Sequence, residues 1–577
     1  MSEIEISESN LPLTRSDKLL LGGVLLATAV TFSSTFTFGW AYDDVPQIAQ
    51  NNNLQWSKLG YLFTHDLWAS LPGSEARFYR PLLSLWFLLN KTLFGLHPQW
   101  FHVTSVLAHV AATALAFVIA RQLLRSVEAS LFAAAIFGMH PLQAESASWI
   151  SSVNDPLAAV FCFSSFLAYR KASMNQRRAV WWWTVSAILF LGALLTKEVS
   201  AVFPAIVLFD VWTTSMPEAE DKRRVRTTAI ACSVYGSLEI LWLTWRQHVL
   251  GHVASHALVP WTTCVLNIPR ILLFDLSRIL LPIGLSPHYD FRLSESAGDA
   301  RFLAALLVLF LLGWLSVFAA RHNPRLWLGF AWMILPVLPT LNLRWMDQGD
   351  FVHDRYMYMS LLGVALLAGS AYVSLRGRWP EAALIRPLCA ALIVGMAFAS
   401  SVQSQYWAND VYLFSRAVKI APQNEWAQLN YGAALSARGK YAEAAPHFVR
   451  SYELQSGGRA ASFAGFAYQQ SGNLAQAERW FNVALQADPA LATAWFGLAQ
   501  IRIEQQRPED AIDFLHHALA IQPNADGYHY AMGTALEQSS RFPEALEEYR
   551  TELRLHPYQA GAQKAIDRLQ ANSAKGR

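Results

Sequence analysis

The sequence predicts an all-α protein in two parts: a polytopic membrane bundle of about eleven spans over residues 19–404, then a soluble α-solenoid over 405–570. Three observations predict it. Only 15% of the 577 residues are charged, against about 25% in ordinary globular proteins. The shortage is uneven, with 55 charged residues in the first 410 positions and 32 in the last 167, so the two parts are built for different solvents. Pro489, Pro523 and Pro557 recur 34 residues apart, the period of a helical repeat. The net charge of +3 is too small and too dispersed for a sequence-independent grip on nucleic acid. Cys162, Cys232, Cys264 and Cys389 lie far apart, without CxxC spacing, and read as small core residues.

A cytoplasmic tail of residues 1–18 carries Arg15 and Lys18 into the first apolar run, Leu19 to Phe38, long enough to cross a bilayer core of about 20 residues. The run ends in Gly39-Trp40-Ala41-Tyr42-Asp43-Asp44, an aromatic pair suited to the interface and not a small-residue cleavage site. Further apolar runs lie near 101–120, 128–143, 156–169, 179–195, 199–213, 228–246, 302–320, 326–341, 356–375 and 383–402. Lys and Arg stay on the cytoplasmic side, so an even number of spans separates successive basic loops: Arg121/Arg125, Arg170/Lys171/Arg177/Arg178, Lys222/Arg223/Arg224/Arg226, Arg321/Arg325 and Arg376/Arg378. Parity makes the stretch 265–285, with Arg270, Asp275 and Arg278, re-entrant or interfacial, and sets aside 82–96, with Asn90 and Lys91. The N-terminus is then inside. Everything after 402 is outside, with the loops 40–100, 144–155, 247–300 and 342–355.

Around the periodic prolines a tetratricopeptide pattern fills in. Ala477, Ala511 and Ala545 keep the 34-residue spacing, Gly465, Ala499 and Gly533 let paired helices approach, and Phe481, Leu515 and Tyr549 fill the gap between them. Trp495 matches the aromatic start of a repeat, and Gly432, Ala444 and Phe448 mark an earlier copy. Tyr406 to Pro422 resembles the second helix of an incomplete unit, and residues 571–577 are a disordered tail. Two uses of the four repeats stand side by side: bracing the membrane part, or holding a partner protein on a concave face.

The outer loops carry the candidate chemistry. Asp43-Asp44, at the outer end of the first span, suits a general base and its neighbour at headgroup height; two solvated interfacial acids is the plainer reading. Arg80 follows Phe78-Tyr79, and arginine beside aromatics suits a lipid phosphate, although snorkelling explains it equally. His140, Glu145, Asn154 and Asp155 crowd one short loop without the spacing of a metal site such as HExxH. Lys197-Glu198 sits at the turn of an apolar hairpin, either functional or self-paired. His353-Asp354-Arg355-Tyr356 opens the tenth span, its arginine free to neutralise a phosphate or to pair with Asp354. Outward acids and cations at one face together suggest chemistry on a lipid-linked phosphate.

The order of these motifs resembles a known family. Tyr42-Asp43-Asp44, Phe63-Thr64-His65-Asp66-Leu67-Trp68, Tyr79-Arg80-Pro81-Leu82 and Phe101-His102-Val103 resemble the first luminal loop of the transmembrane and tetratricopeptide-repeat O-mannosyltransferases. His140-Pro141 with Glu145, Asn154-Asp155, Lys197-Glu198 and Arg355-Tyr356-Met357-Tyr358 resemble that family's later motifs in the same order. The resemblance implies a C-type glycosyltransferase fold, a polyprenyl-phosphate sugar donor, a hydroxyl acceptor on protein or glycan held by the repeats, and an inverting reaction. Asp43 or Asp44 would then be the base, and Arg355, helped by Arg80 or Lys197, would stabilise the departing phosphate. His140, Glu145, Asn154, Asp155, Glu198, His353 and Tyr356 would line the substrate site. No cofactor is required, since a monophosphate donor needs no metal on charge grounds; a divalent metal is not indicated but stays open. Four repeats, fewer than eukaryotic members usually carry, point to a bacterial relative, with the repeats outside the inner membrane; in a eukaryote they would be luminal in the ER. The reading from a different class is a non-catalytic scaffold that anchors the repeat array to a membrane.

Overall fold

The computed structural model describes residues 13–69, 78–174, 176–213, 221–251, 259–323, 326–346 and 349–575. The protein is all-α, with no strand among the described residues. It divides into two compact units, Met1–Arg416 and Ala417–Arg577, so the boundary falls some twelve residues beyond the 404/405 expected from composition.

In the first unit the helices are α1 (Arg15–Thr31), α2 (Leu59–Thr64), α3 (Pro81–Phe94), α4 (Pro98–Leu124), α5 (Val127–Met139), α6 (Gln143–Ser148), α7 (Asn154–Met174) and α8 (Ala179–Leu194). There follow α9 (Phe203–Thr213), α10 (Asp221–Leu250), α11 (Trp261–Leu280), α12 (Ala300–His322), α13 (Leu326–Ile334), α14 (Ser360–Arg378) and α15 (Ile385–Ser404), with α16 (Asp410–Ile420) at the boundary. Among the described residues, five helices are long and apolar enough to cross a membrane: Pro98–Leu124, Ile150–Met174, Ala300–Arg321, Ser360–Arg378 and Ile385–Ala408. Shorter apolar helices cover Pro81–Phe94, Val127–Met139, Ala179–Leu194 and Leu326–Leu341. On α12, Leu307, Phe310, Trp314 and Phe318 are all exposed, a surface that suits lipid and not water.

Local chemistry sets the ends of α1. Thr14 accepts from the Asp17 N–H while Asp17 accepts from the Thr14 N–H, a reciprocal cap that starts the helix four residues before the apolar run. The α-helix stops at Thr31 and tightens to a 3₁₀ helix over Ser33–Thr37. There the hydroxyls of Ser33, Thr35 and Thr37 donate to the carbonyls three residues back, competing with the α pattern.

A second difference lies between α5 and α7. Composition reads 144–155 as an outer loop, yet every residue from 133 to 159 is buried. The small side chains of Ala133, Ala134, Ala135, Ala144, Ser146, Ala147 and Ser148 let α6 and a 3₁₀ turn over Ile150–Val153 wedge inside the bundle. Backbone also meets backbone at α13 and α14. A Cβ on Gly363 would lie 2.4 Å from the Gly329 carbonyl oxygen, so glycine there fixes how closely the pair packs. The stretch expected to be re-entrant or interfacial forms α11, which buries Cys264, Asn267, Ile271, Asp275 and Ile279 at helical spacing.

The second unit is a row of helix pairs: α17 (Glu425–Ser436) with α18 (Tyr441–Leu454), α19 (Gly458–Gln470) with α20 (Leu474–Ala487), α21 (Ala492–Glu504) with α22 (Pro508–Ile521), and α23 (Tyr528–Gln538) with α24 (Phe542–Leu555). The helix α25 (Ala560–Lys575) closes the row. It continues to Lys575, into the stretch expected to be a disordered tail over 571–577, because Ala571, Ala574 and Lys575 continue a helix-forming sequence; residues 576 and 577 of that stretch lie outside the described residues. Gly465 sits where a Cβ would come 2.7 Å from the Phe481 ring; the aromatic of α20 occupies that volume.

Candidate functional site

After the 3₁₀ turn that ends the first helix, the chain reverses at Tyr42, whose φ of 55° is left-handed. That conformation costs a non-glycine residue about 1–2 kcal/mol, and its surroundings hold it. The Tyr42 N–H donates to Asp410 Oδ1 at 2.7 Å. Its ring stacks on Trp149, with centroids 5.5 Å apart, and meets Phe414 edge-on at 5.2 Å.

The reversal separates the environments of two adjacent acids. Asp44 is fully buried, accepting from the Ala41 N–H at 3.1 Å, the Ser151 N–H at 2.8 Å and the Ser151 hydroxyl at 2.7 Å. Asp43 is half-buried, and its carboxylate has no hydrogen-bond partner among the described residues. Burial pushes the Asp43 carboxyl up to about 7 against the opposing charge of Arg355. Burial likewise pushes Asp44 up to about 7, against its hydrogen bonds from Ser151 and Ala41. Both acids are thus raised alike, and geometry tells them apart: three donors occupy the Asp44 oxygens, whereas those of Asp43 are open to a proton from outside.

Arg355 lies in the field of Asp43, and Lys197 in the fields of Arg355 and Arg80; each of these three cations is fixed by a carboxylate distant in sequence. Arg355, in a 3₁₀ turn over Asp354–Met357, donates from Nη1 to Glu145 Oε1 at 2.5 Å, and its N–H reaches Glu145 Oε2 at 3.2 Å. Lys197 Nζ lies 2.5 Å from Asp155 Oδ1, while Ser146 and Ser152 donate to the other Asp155 oxygen. Arg80, the residue before Pro81 at the start of α3, grips Glu198 through Nε and Nη2, the shortest bond 2.8 Å. The simpler local pairings are thereby corrected: Arg355 does not take Asp354, and Lys197 and Glu198 do not take each other. Buried pairs of this kind add little net stability, but they fix charge in place. Burial lowers the Lys197 ammonium, with Arg80 and Arg355 acting in the same sense against Asp155. Burial alone would raise Glu198, yet the Arg80 charge and hydrogen bonds bring it below its ordinary value. Tyr356 lies in the fields of Arg355, Asp350, Glu145 and Arg80, and its hydroxyl points at Met346 Sδ, 3.4 Å away.

Not every expected residue joins this group. His140 uses both ring nitrogens inside the protein: Nδ1 accepts from the Leu142 N–H at 3.2 Å, which leaves Nε2 to donate to the Ile279 carbonyl at 3.0 Å. It pins the wedge to α11. Asn154 is buried at the start of α7, with its Oδ1 unpartnered among the described residues.

Other residues appear that sequence reasoning missed. Asp350 bridges His288 Nδ1 at 2.8 Å and His353 Nε2 at 3.1 Å. Burial alone would raise this carboxyl, but the two imidazoles hold it far below the usual range. Asp354 accepts from the Tyr289 hydroxyl at 2.6 Å and the Ser286 N–H at 3.3 Å, and burial with the Glu145 charge pushes it up to about 8. The i,i+3 spacing of Asp350 and His353 was a usable signal; His288, 62 residues from Asp350, had none. Among the described residues the group with metal-ligand geometry is Asp526, Glu552 and His556, in the second unit. There Glu552 accepts from the Gly527 and Tyr530 N–H groups and caps a helix.

A carboxylate with open oxygens, near neutrality, beside fixed cations can accept a proton from a hydroxyl and stabilise a departing anion. A tetratricopeptide repeat family model matches residues 468–536. Protein O-mannosyl-transferase TMTC4 of Homo sapiens is 26% identical over 504 residues, covering 75% of this chain and 65% of that protein. Protein O-mannosyl-transferase TMTC3 of Mus musculus is 23% identical over 593 residues, covering 92% and 63%. The chain thus spans somewhat under two thirds of the length of these curated relatives. A crystal structure of MamA superposes with a TM-score of 0.25 at 17% identity, over 28% of this chain and 93% of that one. The chain is a membrane protein with tetratricopeptide repeats, homologous over most of its length to proteins named protein O-mannosyl-transferases.

Proposed function

We propose that this protein is a multi-pass C-type glycosyltransferase that moves mannose or a similar hexose from a polyprenyl-phosphate to a serine or threonine hydroxyl of an acceptor protein. Asp43 takes the hydroxyl proton. The oxygen attacks the anomeric carbon with inversion, the bond from that carbon to the phosphate oxygen breaks, and the lipid phosphate leaves as a dianion. Arg355, Arg80 and Lys197, held by Glu145, Glu198 and Asp155, stabilise the charge that develops on the leaving group. Tyr356 and His353 line the donor side, and His140 and Asn154 hold the wall behind it. The observation that carries this reading is the contrast between Asp43, with open oxygens in the field of Arg355, and Asp44, locked by three donors. The names of the relatives support mannose and a protein acceptor. Residues 19–404 form the catalytic membrane part, and the repeats from about 405 to 570 hold acceptor protein. The basic loops support an internal N-terminus and repeats on the extracytoplasmic side, either periplasmic or in the ER lumen.

The test is transfer of radiolabelled sugar from a set of polyprenyl-phosphate donors by protein reconstituted in lipid, comparing wild type with the double variant Asp43→Asn/Asp44→Asn. Label transfer by wild type that the double variant lacks is expected. Equal transfer by the two proteins sinks the assignment.

A further inference from the structure

The proposed base follows directly on a turn that is secured from far along the chain. Tyr42 takes a left-handed φ of 55°, a conformation that a side chain disfavours by about five- to thirtyfold in population, and the next residue is Asp43. Trp149, at the end of α6, stacks on the Tyr42 ring. The start of α16 supplies two further contacts: Asp410 Oδ1 accepts the Tyr42 N–H at 2.7 Å across 368 residues, and Phe414 meets the ring edge-on at 5.2 Å.

The aspartate does not serve its own helix in this bond. Asn409 Oδ1 accepts from the Tyr412 N–H at 3.2 Å, the usual task of a side chain at a helix start, while Asp410 turns an oxygen to Tyr42. The start of α16 is also anchored well enough to act as a fixed point. Leu413 and Phe414 are buried, Phe414 stacks on His288 with centroids 6.2 Å apart, and Arg416 Nε donates to the Leu285 carbonyl at 3.3 Å. Just ahead of the helix, Trp407 stacks on Trp149 at 5.3 Å. All these residues lie within the first compact unit, Met1–Arg416. Asp410 stands near the base as well as its turn, since its charge adds to the rise that burial gives the Asp43 carboxyl against Arg355.

We infer that Asp410, supported by Phe414, is a positioning residue for the proposed reaction: by accepting the Tyr42 N–H it fixes the left-handed reversal, and with it the place of the Asp43 carboxylate. The inference rests on the reading of Asp43 as base. It extends the part needed for transfer beyond residue 404, into the helix that follows the last apolar run.

The test compares full-length variants in lipid by sugar transfer, by hydrogen exchange of peptides spanning 39–45, and by thermal unfolding. Asp410→Asn keeps an acceptor oxygen for the Tyr42 N–H, and Asp410→Ala removes it. The alanine variant should lose about tenfold in kcat, the factor by which an unsupported left-handed turn is depopulated. Its donor KM should stay within about twofold, because Arg80, Lys197 and Arg355 keep their own carboxylate partners. Exchange over 39–45 should quicken in the same variant, whereas Asp410→Asn stays close to wild type in both measurements. Tyr412→Phe, at an exposed side chain of α16, should change neither. Phe414→Leu, which loosens the ring contact and leaves Asp410 in place, should repeat the alanine pattern more weakly, and it replaces that variant if unfolding shows Asp410→Ala does not fold. Unchanged exchange or unchanged kcat on loss of the contact, an equal loss in Asp410→Asn, or a raised donor KM in place of a lowered kcat overturns the positioning role. The base is judged separately: equal transfer by Asp43→Asn and wild type removes the base reading and the catalytic role of Asp410 with it, even where exchange shows that Asp410 holds the turn.

Discussion

Replacing Asp43 by asparagine isolates chemistry from folding, because its carboxylate makes no hydrogen bond among the described residues. The amide fills the same volume, so unfolding should shift by no more than about 0.5 kcal/mol, as for surface changes that break no named interaction. Sugar transfer, in contrast, loses its general base. Such groups contribute about 10²–10⁴-fold, or about 3–5 kcal/mol of barrier. The acid–base behaviour gives an independent reading. With the carboxyl raised to about 7 by burial, about half is ionised at neutral pH and about one hundredth at pH 5. The active form is the deprotonated one, so kcat/KM should rise with pH through about 7 and level above it. Transfer of labelled sugar in liposomes across a pH series measures both effects, with thermal unfolding in detergent as the control. A variant retaining more than about a tenth of wild-type kcat/KM, or a flat wild-type profile between pH 5 and 8, refutes the assignment of Asp43 as base.

Asp44→Ala should behave in the opposite way, leaving the Ala41 and Ser151 donors buried without an acceptor; at about 1–3 kcal/mol per abandoned group, its melting temperature should drop clearly, and an unchanged melting temperature would contradict the packing described. Glu145→Ala strands the buried end of Arg355 and should destabilise by about 3–5 kcal/mol, measurable as a lower denaturant midpoint, whereas Glu145→Gln should retain more stability and lose transfer through misplacement of the guanidinium. In the repeats, Gly465→Ala forces a methyl against Phe481 and should cost about 1–3 kcal/mol. Limited proteolysis of the full chain should then cut between 458 and 487 faster than in wild type, and Phe481→Leu should partly restore protection.

Much of the fold was legible because it rests on local composition and period. The charge shortage separates lipid from water, and the 34-residue spacing of Gly465, Ala499 and Gly533 reflects one packing problem solved repeatedly, a small residue of one helix under an aromatic or leucine of the next. Element ends were less legible. Hydroxyl-to-carbonyl bonds after Thr31 and the capping box at Thr14 moved the limits of α1, and small side chains drew the stretch from 144 to 155 inside where its polarity suggested an outer loop.

For the candidate site, the sequence by itself singled out the residues to examine: a pair of acids at the end of an apolar run, and Arg80, Lys197 and Arg355 beside later ones, because ionisable groups at such places are costly and stand out. Only the tertiary structure decided which acid has open oxygens and which carboxylate holds each cation. Ser151 lies 107 residues from Asp44, Glu198 118 from Arg80, Glu145 210 from Arg355, and Asp410 368 from Tyr42. Charges pair with whatever the folded bundle brings within about 3 Å, and no local pattern in the chain carries that distance.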